Sequence, residues 1–218
     1  MNQIALRSPA GFWKRYVAYF IDVVLVYIVL ELLTRLLFPD QGFSDQGAAD
    51  QIQALMSAVQ NHQALSDDQT ALLKRTAESL SSMLMFTSIA YVVIAGAYFV
   101  VCESSAWQAT LGKRLLGIKV VDANGARISA GRALGRFVAA SLSWLTLNVG
   151  HAMAAIKPEH RALHDYVADT RVENVDPDHP QMPLWGWLIV GAHALAFMLC
   201  VVGASMAMAL ALRAADQF

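Results

Sequence analysis

The stretch FWKRYVAYFIDVVLVYIVLELLTRLLF, residues 12–38, decides the class of this chain. A bilayer core of ~30 Å needs about 20 helical residues at a rise of ~1.5 Å each, and this run exceeds that length. Three further apolar blocks follow at residues 80–102, 137–156 and 184–212. Open sheets and irregular backbone leave polar groups unsatisfied in lipid, so such runs are read as helices. Composition agrees: 56% of the residues are hydrophobic and 15% charged, against roughly a quarter charged in soluble domains. The first block is too long for a signal-peptide core, carries Asp22 and Glu31, and has no small-residue cleavage site close behind it, so it is expected to be retained. The sequence therefore predicts an all-α polytopic membrane protein. It would have three full transmembrane helices plus a re-entrant or fourth spanning segment.

Between the blocks lie two informative loops. Residues 39–79 are polar and acidic, with Asp40, Asp45, Asp50, Asp67 and Asp68, and are good helix formers. They predict a helical insertion outside the bilayer. Residues 103–131 contain TLGKRLLGIKVVDANGARISAG, where near-alternation around Asn124-Gly125 predicts a small cytoplasmic β-hairpin of IKVVDA with ARIS. Lys113 and Arg114 precede it on a short amphipathic stretch, facing the lipid headgroups. Later, DTRVE reads as a strand able to pair with IKVVD.

Orientation follows from the basic residues beside the spans. Arg7, Lys14 and Arg15 flank the first block. Lys113, Arg114, Lys119, Arg127, Arg132 and Arg136 fill the second loop. Both places are expected to face the cytoplasm of a bacterial inner membrane. If the third block crosses fully, the sixteen basic residues divide ten inside to six outside. If it enters and returns, they divide twelve to four. Thr146, Asn148 and Gly150 cluster at its middle, which favours a broken, re-entrant hairpin. The division expected is a membrane domain over residues 1–176 and an additional helix over 177–218. In that last block Gly203, Ala207 and Ala211 recur every four positions, a ridge that lets helix backbones approach closely in lipid.

Charges inside spans are the informative chemistry. Asp22 sits deep in the first block, two turns along one face from Arg15. An ionised Asp at that depth costs about 2.5 to 3.5 kcal/mol on insertion scales, so it needs a partner or a proton. An ion or proton site and a structural polar lock are equally open readings. The candidate donors are Arg136 and hydroxyls of the second block, with Asp165 serving Arg15. Glu31 lies four residues before Arg35, the spacing of a local ion pair. His151 and His193 read as packing histidines. His160 and His164, at helical spacing beside Asp165 and Asp169, could share a metal, but no third ligand completes a shell. A capped, salt-bridged helix is the preferred reading there. Cys102 and Cys200 lie in apolar blocks and read as packing residues. No phosphate loop, nucleophile–base pair or cofactor motif is present, so neither enzyme activity nor a cofactor is expected.

Three separated stretches, PAGFWKRYVAYFIDVVLV, WQATLGKRLLGIKVVDANGARIS and RALHDYVADTRVE, resemble the successive blocks of the RDD family over residues 10–173. That family takes its name from an arginine and two aspartates, which match Arg15, Asp22 and Asp165. The resemblance implies, as the leading reading, transport of an unidentified ligand, with cation/proton antiport attached to some relatives; the alternative it implies is a non-catalytic membrane scaffold or adaptor that helps assemble larger complexes. Arg15, Asp22, Arg136, His164 and Asp165 are the expected ion-binding or structural polar network. The partners expected are lipid, further copies of the chain or other membrane proteins, and a small cation or proton, with no nucleic acid.

Overall fold

The computed structural model describes residues 8–37, 53, 67–146, 148–156 and 159–215. Three long helices dominate: α1 (Phe12–Leu37), α2 (Asp67–Ser104) and, at the end of the chain, a helix over Leu184–Ala215. Among the described residues these three are long and apolar enough to cross a membrane. In the expected insertion, residues 67–79 are helical as the start of α2, while 39–52 and 54–66 lie outside the described residues.

The chain divides into two compact units, Val23–Tyr98 and the remainder. In the first, Leu32, Leu36 and Val93 are exposed apolar residues, as a lipid-facing surface requires. The Glu31 carboxylate accepts from Arg35 Nε at 2.7 Å, both side chains exposed, as the four-residue spacing predicts.

The second unit carries the rest of the architecture. After α2 come a single-turn helix α3 (Leu111–Leu115), strand β1 (Ile118–Asp122) and helices α4 (Ala130–Leu145) and α5 (Val149–Ile156). Then follow α6 (Leu163–Val167), β2 (Thr170–Asn174) and α7, the Leu184–Ala215 helix. The two strands pair antiparallel, Ile118 opposite Asn174, Val120 opposite Val172 and Asp122 opposite Thr170. The predicted IKVVDA–ARIS hairpin does not form; IKVVD takes DTRVE's segment as its partner instead. The Asn124-Gly125 turn is present, with Asp122 Oδ1 accepting from the amides of Asn124 and Ala126 and Gly125 at φ +81°. A competing signal ends the strand potential of ARIS. The Ser129 hydroxyl accepts from the Arg132 amide at 3.3 Å and caps α4.

On its other side β2 binds the amino-terminal segment. The Ala10 amide donates to the Val172 carbonyl and the Asn174 amide to the Ser8 carbonyl, both at 2.9 Å. Ala10, Val17, Ala18, Ile118, Val120 and Val172 then close a small apolar core. Because these segments are hydrogen-bonded neighbours, residues 8–10, 118–122 and 170–174 occupy one side of any membrane the long helices cross.

The third apolar block is broken where its polar cluster lies. The Asn148 amide donates to the Ser143 carbonyl at 2.7 Å, and Asn148 itself has φ +63°. In a continuous helix, residues seven apart are separated by ~10.5 Å. Here a Cβ on Gly150 would come within 2.2 Å of Ser143 Oγ. The chain has turned back, and α4 and α5 form a helical hairpin rather than one crossing helix. On a background lacking Cys102 and Cys200, Ser129→Cys and Asp178→Cys should react with a membrane-impermeant thiol reagent from the same side in oriented vesicles. Opposite-sided labelling would overturn this arrangement.

Candidate functional site

Asp22 lies on α1 with no exposed surface. Its Oδ2 accepts from the Thr110 hydroxyl at 2.5 Å and its Oδ1 from the Gly112 amide at 2.8 Å. Asp22 thus supplies a negative charge and acceptors to the orphan donors at the start of α3. Thr110 is the cap residue of that helix, its oxygen accepting in turn from the Lys113 amide. Close approach depends on Gly112: a Cβ there would sit 2.2 Å from the Ala18 carbonyl oxygen and 3.0 Å from Asp22 Cγ.

A second buried cluster is centred on Asp165, also without exposed surface. Arg15 Nη1 donates to Asp165 Oδ2 at 2.5 Å, and Arg136 Nη1 donates to Asp165 Oδ1. The same carboxylate accepts the Ala162 amide at 2.9 Å, capping α6. Arg136 Nη1 also donates to Thr170 Oγ1 at 2.9 Å, and its Nε to Glu103 Oε2 at 3.0 Å. Lys113 Nζ donates to Glu103 Oε1 at 2.8 Å. The result is a continuous chain of charge-assisted bonds, Arg15–Asp165–Arg136–Glu103–Lys113, linking α1, α6, α4, α2 and α3.

Electrostatics at α6 follow from this packing. Burial would raise the Asp165 carboxyl, but the guanidinium groups of Arg136 and Arg15 hold it well below the usual carboxylate range. Burial, reinforced by Arg136, lowers His164 to about 3, so the imidazole is neutral. His164 Nε2 lies 3.7 Å from Asp165 Oδ1, and its ring is 5.0 Å from that of His151.

Of the residues expected in the network, Arg15, Arg136, His164 and Asp165 come together. Asp22 does not take Arg136 as its donor; Arg136 is committed to Asp165 and Glu103, and the hydroxyl comes from Thr110, just beyond the second block. Lys113 departs from the expected headgroup orientation, since it is buried against Glu103 while its neighbour Arg114 stays exposed. Glu103, Thr110 and Thr170 were not singled out by sequence reasoning. Glu103 had one signal: it is the acidic residue that ends an otherwise uncharged block, with more cations than acids after it. His193 packs between Tyr16 and Phe20 with Nδ1 2.7 Å from the Ile189 carbonyl, as a packing histidine should. His160 does not share a helix with His164. It has φ +48° ahead of α6, so the helical spacing behind the shared-metal idea is lost. Among the described residues no group of three His, Cys, Asp or Glu side chains is placed to hold a metal.

The pattern of the RDD family matches residues 9–169, spanning this entire charge network up to α6. This chain belongs to the RDD family. An uncharacterized protein of Bacillus subtilis (strain 168), YxaI, is 32% identical over 171 residues, covering 77% of this chain and 98% of YxaI. No solved structure matches. Of the three residues that the resemblance singles out, Arg15 and Asp165 meet directly, whereas Asp22 holds α3.

Replacing Asp22 should separate hydrogen bonding from charge. Asp22→Leu leaves the Thr110 hydroxyl and Gly112 amide without their acceptor, at about 1 to 3 kcal/mol each. Asp22→Asn keeps one acceptor oxygen and should lose less. Thermal unfolding in mild detergent reads the difference, and equal Tm values for both variants and the native chain would refute the anchoring role.

A pH dependence follows from α6. Unfolded histidine takes up a proton near 6.5, whereas folded His164 resists until about 3, and Asp165 also holds its proton less tightly when folded. The unfolded chain therefore binds more protons across this range, and stability falls as pH drops from about 6.5. Tm measured from pH 7.5 to 4.5 should decline, and His164→Asn should flatten the upper part of that decline.

Proposed function

We propose that this RDD protein is a non-catalytic adaptor of the bacterial inner membrane, with its amino terminus and β element in the cytoplasm, that packs against other membrane proteins. One observation carries the reading. Both oxygens of Asp22, Glu103 and Asp165 already accept hydrogen bonds from the protein's own donors. A carboxylate that binds and releases a cation or proton needs a free face and a path to water, whereas these three knit α1, α2, α3, α4 and α6 together. Meanwhile α7 offers an open surface: among the described residues nothing lies within 4 Å of a Cβ built on Gly203, and Phe197, Leu199 and Met206 are exposed. Close van der Waals approach at Gly203 is the means of association that lipid permits.

Cation/proton exchange is the second reading. It is favoured by buried polar atoms without partners among the described residues, Arg15 Nη2 and the Nδ1 atoms of His151 and His164. The two imidazoles could pass protons if the network opened, with the Arg15 guanidinium as a fixed donor. Proteoliposomes decide between the two. On the adaptor reading, sodium- or potassium-driven proton flux equals that of protein-free vesicles, and Gly203→Leu shrinks the complex recovered from membranes in mild detergent. Cation-dependent flux abolished by Asp22→Asn would reject the adaptor and establish exchange.

A further inference from the structure

The burial of one face of α3 fixes what its other face presents. Gly112 and Lys113 are tied to Asp22 and Glu103, so Leu111, Arg114 and Leu115, which share the opposite face at i, i+3 and i+4, are turned outward. Leu111 and Leu115 are exposed apolar side chains in a five-residue helix otherwise docked on polar groups. Beside them the Arg114 guanidinium lies 4.2 Å from the centre of the Trp107 ring, itself more than half exposed. Among the described residues no carboxylate is within ion-pair distance of Arg114. Its planar donor fork is held in place by stacking and remains free to bind.

We propose that Trp107 and Arg114, with Leu111 and Leu115, form an anionic phospholipid site. Arg114 would bind the phosphodiester, and the two leucines and the indole would enter the outer acyl region. Three observations select lipid as the occupant. Trp107 follows the end of α2 at Ser104 by three residues, the depth at which membrane proteins place tryptophan. The exposed face sets one cation, Arg114, among three apolar side chains, matching an interface where acyl chains meet phosphate. A stacked guanidinium is preorganised for bidentate phosphate binding, unlike a loose lysine. Lys119 and Arg127 belong to the same basic segment as Arg114, in which cations outnumber acids, and this favours a negatively charged headgroup.

The test is the thermal stability of the full chain in nanodiscs of phosphatidylcholine carrying increasing phosphatidylglycerol. Tm should rise with phosphatidylglycerol, and Arg114→Gln should raise the half-maximal lipid fraction roughly fivefold while leaving Tm in pure phosphatidylcholine unchanged. Trp107→Leu should weaken the response by freeing the guanidinium, and Lys119→Gln should weaken it less than Arg114→Gln. An unaltered phosphatidylglycerol response in Arg114→Gln would overturn the proposal. So would an equal loss of Tm in both lipids, which would make Arg114 a folding residue. Stabilisation by millimolar inorganic phosphate in phosphatidylcholine nanodiscs, to the same extent as by the lipid, would reject a bilayer occupant.

Discussion

A carboxylate taken out of water must have its charge and its lone pairs satisfied by the protein, and three such groups govern this fold. Asp22, Glu103 and Asp165 are each almost wholly buried. An isolated ion in that setting is far costlier than the chain could tolerate, so each carboxylate dictates where its donors stand. The donors come from remote sequence: Gly112 is 90 residues from Asp22, and Arg15 is 150 residues from Asp165. Satisfying three side chains therefore fixes the relative placement of α3, α4 and α6 on the ends of α1 and α2. The cations balance the acids, with Arg15, Arg136 and Lys113 against Asp22, Glu103 and Asp165. Loss of Asp165 leaves Arg15, and loss of Glu103 leaves Lys113, without its buried carboxylate, a larger penalty than the pair's own net contribution.

Lipid sharpens this dependence. Apolar side chains gain nothing by leaving hydrocarbon for one another, so helix association in membranes rests on close packing and hydrogen bonds. The long helices expose most of their apolar surface, and the apolar core is confined to a few residues around β1, β2 and the start of α1. That core is fastened by backbone bonds on both edges of β2, to β1 on one side and to Ser8 and Ala10 ahead of α1 on the other. Two small glycines extend the logic. Gly112 and Gly150 stand where backbone or a buried hydroxyl comes too near for any Cβ.

The parts of this arrangement legible in sequence were those written locally. Spans follow from the length of apolar runs, and the turn in the third block followed from Thr146, Asn148 and Gly150 interrupting one. The Arg15–Asp165 pair was legible only through the family resemblance, because nothing local links residues 150 apart. Lys113 and Arg114 show the limit most clearly. They are adjacent and chemically alike, yet a turn of about 100° sends one inward to Glu103 and the other out beside Trp107. A five-residue helix has no periodicity from which that choice can be read. The ARIS strand failed for a related reason, since alternation and the Asn-Gly turn were outweighed by Ser129 capping a helix and by a distant segment of better strand character.

Because α3 is so short, its two faces cannot move independently. Water could reach Asp22 only if Thr110 and Gly112 let go of the carboxylate, and that release would lift α3 from α1. The same displacement would carry Arg114 away from its position on Trp107 and disturb Lys113 on Glu103, the last link of the buried chain. Whatever binds Arg114 in its present place therefore stabilises the closed state of Asp22. By the reciprocity of linked equilibria, a closed Asp22 strengthens that binding by the same factor. In an adaptor this coupling makes the protein most rigid where the lipid is most anionic. In an exchanger it would make the surrounding bilayer an inhibitor of opening.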